Sequence, residues 1–98
     1  MELTVSTIKP DSIIVASQDQ VSGELTDGET VVLNLKDGVY YGLDSVGSEI
    51  LKLIQEPKTV QAVRDILLQH YDVEPEVCER DLVALLTEMA DKDLIRVT

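Results

Sequence analysis

The chain contains no phenylalanine and no tryptophan, and it has only three tyrosines, three prolines, one cysteine and one histidine. Each scarcity closes off something. Without Phe or Trp, the core must be assembled from aliphatic side chains and methionine. Cys78 alone forms no internal disulfide, and with His70 as the only histidine the spaced Cys and His sets of a zinc site are missing; the cytosol is the expected compartment. The opening stretch MELTVSTIKPDS has no basic region leading into an apolar run, and nothing in the sequence approaches the roughly 18 consecutive apolar residues of a membrane span. Glycines stand singly at 23, 28, 38, 42 and 47, so no phosphate-cradling loop is present. Positive charge is scarce too: 8 Lys and Arg stand against 19 Asp and Glu, a net charge of -11. That balance disfavours a nucleic-acid backbone as partner and favours a basic one, and it also keeps a small protein soluble.

What is there fits one domain of 98 residues, with strand patterning in the first half and helix patterning in the second, the signature of an α+β fold. TDG at 26–28 and KDG at 36–38 read as turns of a three-stranded antiparallel meander over about 21–25, 29–35 and 39–43. With KDG as a three-residue loop and Gly38 left-handed, Leu35 pairs with Val39, Leu33 with Tyr41 and Val31 with Leu43. That register predicts a core face holding Val21, Gly23, Leu25, Val31, Leu33 and Leu35. Ser22, Glu24, Val32, Asn34, Tyr40 and Gly42 are then left on the outer face. Asp44 or Ser45 caps a first helix with Val46, Ile50, Leu53 and Ile54 on one side, ending before Pro57. Thr59 caps a second with Val63, Ile66 and Leu67, and a third starts near Pro75 and carries Cys78, Leu82, Leu85, Leu86 and Met89. IIVA at 13–16 and LIRV at 94–97 read as short strands able to pair with each other.

No catalytic constellation emerges. Cys78 falls in the buried stripe of one helix and His70 at the end of another, so a packed thiol and a solvated imidazole are expected rather than a nucleophile and its base. The carboxylates scatter over exposed helical positions, so the chain is expected to be no enzyme and to need no cofactor or metal. A DNA-reading role for the third helix conflicts with its Glu76, Glu79, Asp81, Glu88 and Asp91 against only Arg80 and Lys92. The unusual stretch is KDGVYYGLDSVGSE at 36–49. Its strand, Val39 to Leu43, has neither charge nor proline, the usual guards of a sheet edge. Either the edge accepts an extended peptide as an added strand, or IIVA or LIRV covers it.

The span from about Val21 to Val97 resembles the PqqD-like family of small peptide-binding domains, also called RiPP recognition elements. The residues that carry the likeness are VVLNLKDGVYYGLDSVGSEIL, with Tyr40-Tyr41, Gly42-Leu43 and Gly47, followed by TVQAVRDILLQHYDVEP and RDLVALLTEMADKDLI. The resemblance implies a winged helix-turn-helix-like fold, with residues 1–20 as an extension and 21–98 as the peptide-binding domain. It implies a cytoplasmic, non-catalytic adaptor that binds the leader of a ribosomally made precursor by strand addition. Carried over, the strand is Val39, Tyr40, Tyr41, Gly42 and Leu43, and the facing helix is about 75–91. Of its two flanks, Val77, Asp81, Ala84 and Glu88 are favoured over Glu79, Val83 and Ala90, because Asp81 matches a frequent family acid and Asp81 and Glu88 suit a basic leader. A chain with no fused enzyme looks most like the leader-binding component of lasso-peptide biosynthesis, working beside a separate cysteine protease and a macrocyclase, with no nucleic acid and no membrane. The pyrroloquinoline quinone (PQQ) peptide chaperone is the alternative, and a winged-helix regulator a more distant one.

Overall fold

The computed structural model of the chain describes residues 8–98; the first seven residues of the span expected to be an extension, 1–20, lie outside them. In chain order the elements are β1 (Ile13–Ala16), β2 (Gln20–Glu24), β3 (Thr30–Asn34), β4 (Tyr40–Leu43), α1 (Ser45–Leu53), β5 (Lys58–Thr59), α2 (Val60–His70), α3 (Pro75–Asp91) and β6 (Ile95–Val97). The α+β order expected from patterning holds, and the three helices fall where their stripes and caps placed them. Asp44 accepts from the Gly47 amide at 2.8 Å to start α1, and Thr59 accepts from the Ala62 amide at 3.1 Å to start α2. Pro75 occupies the first turn of α3, where its missing N–H costs nothing.

Two antiparallel sheets form, ordered β5-β1-β6 and β2-β3-β4. The two terminal apolar runs therefore pair with each other, Ala16 opposite Ile95 and Ile14 opposite Val97, and leave β4 at the border of its own sheet. Ile14, Ile50, Ile54, Val60, Val63 and Leu86 are all at or near complete burial, so the core is aliphatic, as the missing aromatics required.

The meander forms, and β2 pairs with β3 in the register that the TDG turn predicts, but β4 pairs with β3 one residue from the expected position, and this reverses the faces of two of the three strands. Tyr40 pairs with Leu33 and Tyr41 with Val32. Thr30, Val32 and Asn34 therefore face the core, while Val31, Leu33 and the exposed Leu35 do not. Val21 on β2 and Leu25 just after it are exposed instead of buried. Gly38 is left-handed at φ 71° as the turn requires, but the loop runs over four residues, with the Asn34 amide donating to the Val39 carbonyl at 3.0 Å.

Asn34 supplies the reason. A buried amide is tolerated when its hydrogen bonds are met, and this one donates to the Lys92 carbonyl at 2.9 Å and accepts from the Lys36 amide at 2.8 Å. The side chain that polarity assigns to solvent thus ties the hairpin to the carbonyl of Lys92, the residue that caps the end of α3. Replacing Asn34 by Ala would leave that part-buried carbonyl without its partner and open space where the buried amide sat. We expect Asn34→Ala to lower unfolding free energy by about 1–3 kcal/mol, read by urea denaturation.

The end of α3 is fixed from the other side as well. Asp93 adopts the left-handed conformation at φ 58°, and the Leu94 amide reaches back to the Met89 carbonyl at 2.9 Å while the Asp93 amide reaches Ala90 at 3.0 Å. These two bonds make a Schellman ending, usually built on glycine, which turns the chain sharply into β6. Among the described residues, no helix is long and apolar enough to cross a membrane.

Candidate functional site

Among the described residues β4 has one neighbour, β3, and its other border is unpaired in the sheet. In an antiparallel pair, residues alternate between facing the partner and facing away. The bond from the Asn34 amide to the Val39 carbonyl sets the phase. Val39, Tyr41 and Leu43 turn their backbone groups toward β3, and Tyr40 and Gly42 turn theirs to the open border. The side chains divide the other way: Tyr41 and Leu43 point to the core side, Tyr40 and Gly42 to the outer face. Tyr40 is 68% exposed and Leu43 only 9%, as this division requires.

On the core side the border of β4 looks across a cleft to α3. A cavity of about 300 Å³ is lined from the strand by Tyr41, Gly42 and Leu43 and from the helix by Leu85, Glu88 and Met89, with Lys92 at its end. Asp44 and Leu85 are shared with a second cavity of about 360 Å³, whose wall includes Val46, Leu67, Tyr71, Cys78, Asp81 and Leu82. The two form one groove along α3, apolar at its floor and acidic at Asp44, Asp81 and Glu88. Gly47 keeps α1 close to the strand: a Cβ there would sit 3.3 Å from that of Leu43 and 3.4 Å from the Asp44 carboxylate.

The groove walls are braced. The Tyr41 hydroxyl donates to Asp37 at 3.1 Å, and the Lys92 ammonium lies 5.2 Å from the Tyr41 ring centroid. Burial, that hydrogen bond and the nearby carboxylates of Asp37 and Asp93 push the Tyr41 phenol above its ordinary range, so it stays a donor. At the other end, His70 and Tyr71 both hydrogen-bond Glu49 of α1, Tyr71 at 3.1 Å, which holds the end of α2 against α1. Burial likewise raises the Tyr71 phenol.

Of the sequence-selected residues, Tyr41, Gly42, Leu43, Asp81 and Glu88 line the groove, and Tyr40 presents its backbone to the border beside it. Val39 directly precedes β4, with its carbonyl bonded to the Asn34 amide, and lines neither cavity. Val77, half-buried, and Ala84, exposed, lie one step further round α3 and line neither cavity. The rejected flank faces elsewhere: Glu79 pairs with Arg64 of α2 at 2.5 Å. Residues that sequence reasoning did not assign to a site are Asp44, Leu85, Met89 and Lys92. Leu85 and Met89 were legible only as core, and Lys92, four residues after Glu88, was the one signal of a cation on that face.

Burial pushes the Cys78 thiol above its ordinary range despite nearby Arg64, and the side chain is 8% exposed. We expect alkylation of the native protein at neutral pH to be at least tenfold slower than that of the urea-unfolded chain, followed by intact mass.

Three comparisons bear on this arrangement. No curated protein matches the chain significantly. A solved structure described as TbiB1 in complex with the TbiA(beta) leader peptide is 38% identical, with a TM-score of 0.77 over 84% of this chain and 94% of that one. A second, lasso peptide synthetase B1 complexed with the leader peptide, is 22% identical with a TM-score of 0.74 over 85% and 96%, a likeness of fold. The family profile described as coenzyme PQQ synthesis protein D (PqqD) matches residues 29–95, from the start of β3 through the groove to the first residue of β6. An open β4 border, the capped turn into α1 and the α3 wall all fall within that span, and the chain belongs to the PqqD family.

Proposed function

We propose that this protein is a non-catalytic adaptor that binds the leader of a ribosomally made precursor peptide, of the lasso class, and presents it to a protease and to modifying enzymes. The observation that carries this reading is the unpaired border of β4 beside an apolar groove, in a family member 38% identical to a protein solved with a leader peptide. In this reading the leader adds antiparallel to β4, taking hydrogen bonds from the backbone of Tyr40 and Gly42. Its alternate side chains enter the groove between Tyr41 or Leu43 and α3. Asp81 and Glu88 attract basic residues of the leader, and Val77 and Ala84 meet it only if it extends beyond the groove. Main-chain pairing supplies affinity, and the apolar anchors that fill the groove supply selectivity.

Hydrogen exchange tests the mode of binding directly. On addition of the leader peptide, the amides of Tyr40 and Gly42 should slow at least tenfold, while those of Tyr41 and Leu43, already bonded to β3, should change little. Equal slowing of all four, or none, would remove strand addition.

The alternative reading is the chaperone of PQQ biosynthesis, favoured by the description of the matching family profile. It shares the strand and the groove and differs in the peptide. Titration with a lasso precursor leader and with the quinone precursor peptide separates the two by affinity.

A further inference from the structure

The β2-β3-β4 sheet has a second open border, along β2. Among the described residues β3 is the one strand paired with β2. The Leu35 amide donates to the Asp19 carbonyl at 2.9 Å and the Leu25 amide to the Glu29 carbonyl at 2.7 Å, which fixes the phase. Val21 and Gly23 therefore turn their backbone groups to β3, and Gln20, Ser22 and Glu24 turn theirs outward. β2 holds no proline and pairs with β3 without a bulge, and its one charged residue, Glu24, is tied to Lys52 of α1. The usual guards of a sheet edge are missing here too.

Charge separates the two borders. Asp19 and Glu24 are the acids at β2, and each has a base: Lys36 lies 3.9 Å from Asp19, and Lys52 holds Glu24. Beside the strand lies a cavity of about 300 Å³, walled by Ser17, Gln18, Gln20, Ser22, Leu51 and Gln55 and lined by no charged side chain. The buried Gln20 Oε1 has no hydrogen-bond partner. The groove at β4, by contrast, carries Asp44, Asp81 and Glu88 against Lys92. In a molecule of net charge -11, an approaching copy meets like charge at β4 and a balanced surface at β2.

We infer that β2 pairs antiparallel with β2 of a second copy about a twofold axis, Ser22 opposite Ser22, joining two three-stranded sheets into one. Such an interface is isologous and closes at two copies. Gln20 of each copy then faces Glu24 of the other, and about six main-chain hydrogen bonds form. On the outer face Val21, 55% exposed, stands opposite Gly23, where a Cβ would meet nothing within 4 Å, so no side chain competes for the space. On the core side the Ser22 hydroxyls meet beside the uncharged cavity. A strand of five residues buries less than the roughly 1,200 Å² of a stable complex, so the dimer is weak and depends on concentration. The β4 borders stay free at the far ends of the joined sheet, each with its own groove. The pairing holds whatever guest those grooves take.

Hydrogen exchange at about 20 µM and about 1 mM protein tests it. At the higher concentration the amides of Gln20, Ser22 and Glu24 should slow at least threefold, while those of Val21 and Gly23, already bonded to β3, should change little. Sedimentation equilibrium over the same range should show a mass rising toward that of two copies. Raising salt from about 50 to about 500 mM should strengthen the association, because it screens the repulsion between two acidic molecules. Ser22→Pro removes an outward amide and no bond of the resting sheet, as edge positions accept. With an unchanged circular dichroism spectrum, it should weaken association at least tenfold. A wild type that stays monomeric at about 1 mM in high salt would overturn the inference, as would a folded Ser22→Pro that associates like the wild type. Association that Gly42→Pro abolishes would overturn it too, by moving the contact to β4. The exchange measurement needs no variant and decides the matter if Ser22→Pro does not fold.

Discussion

Gly42→Pro should weaken leader binding at least tenfold in a protein that remains folded. The Gly42 amide points to the open border of β4, so proline removes no hydrogen bond from the resting sheet, and edge positions of this kind accept it. Space is available: a Cβ at Gly42 meets nothing within 4 Å, and its φ lies outside the left-handed region. The guest strand loses that donor, worth about 1 kcal/mol net, and the ring fills the place where its carbonyl would sit. A tenfold loss corresponds to about 1.4 kcal/mol, within reach of the two effects together. Calorimetric titration of the variant with leader peptide, alongside an unchanged far-ultraviolet dichroism spectrum, provides the readout. Wild-type affinity in the folded variant would end the strand-addition account. Gly42→Ala, which keeps the amide, should bind within about threefold of the wild type.

The largest effect on stability is expected from Leu86→Ala. Leu86 is completely buried in the middle of α3. No phenylalanine or tryptophan exists in this chain to collapse into the space its side chain would leave. Substitutions of this kind cost about 2–5 kcal/mol, a large part of the roughly 5–15 kcal/mol that holds a domain together. With a urea slope of about 1–3 kcal/mol per molar, the midpoint should fall by about 1–3 M. Leu85→Ala makes the informative contrast. Leu85 is half-buried and lines both cavities, so its loss should move the midpoint less and the leader affinity more. If Leu85→Ala destabilises as much as Leu86→Ala and leaves binding intact, the groove is not where the anchors go.

The helices were legible in the sequence because each signalled itself twice, by its start and by a stripe: Asp44 and Thr59 cap the first two, Pro75 opens the third, and Cys78, Leu82, Leu86 and Met89 repeat at helical spacing. The hairpin turn was legible as well, since Gly38 adopts the left-handed conformation. Register was not. Alternation treats every asparagine as a surface residue, and Asn34 is buried because the end of α3 supplies its partner, a long-range fact with no local sign. A slip of one residue then turned the apolar side chains of β2 and β3 outward, and so an exposed apolar face was read as core. The groove was half legible. Asp81 and Glu88 stood out by charge and by family likeness. Leu85 and Met89 look like any other core residues, and only the tertiary opening between β4 and α3 reveals that they also form a wall.

The tyrosines have a practical consequence. Tyr40 stands on the strand that bounds the groove, and Tyr41 and Tyr71 line its two cavities. With no tryptophan to mask them, the chain's entire near-ultraviolet signal arises from this one region. Intrinsic emission therefore reports occupancy of the groove without a label, and quenchers in solution can be titrated against it to follow how deeply a guest shields each end.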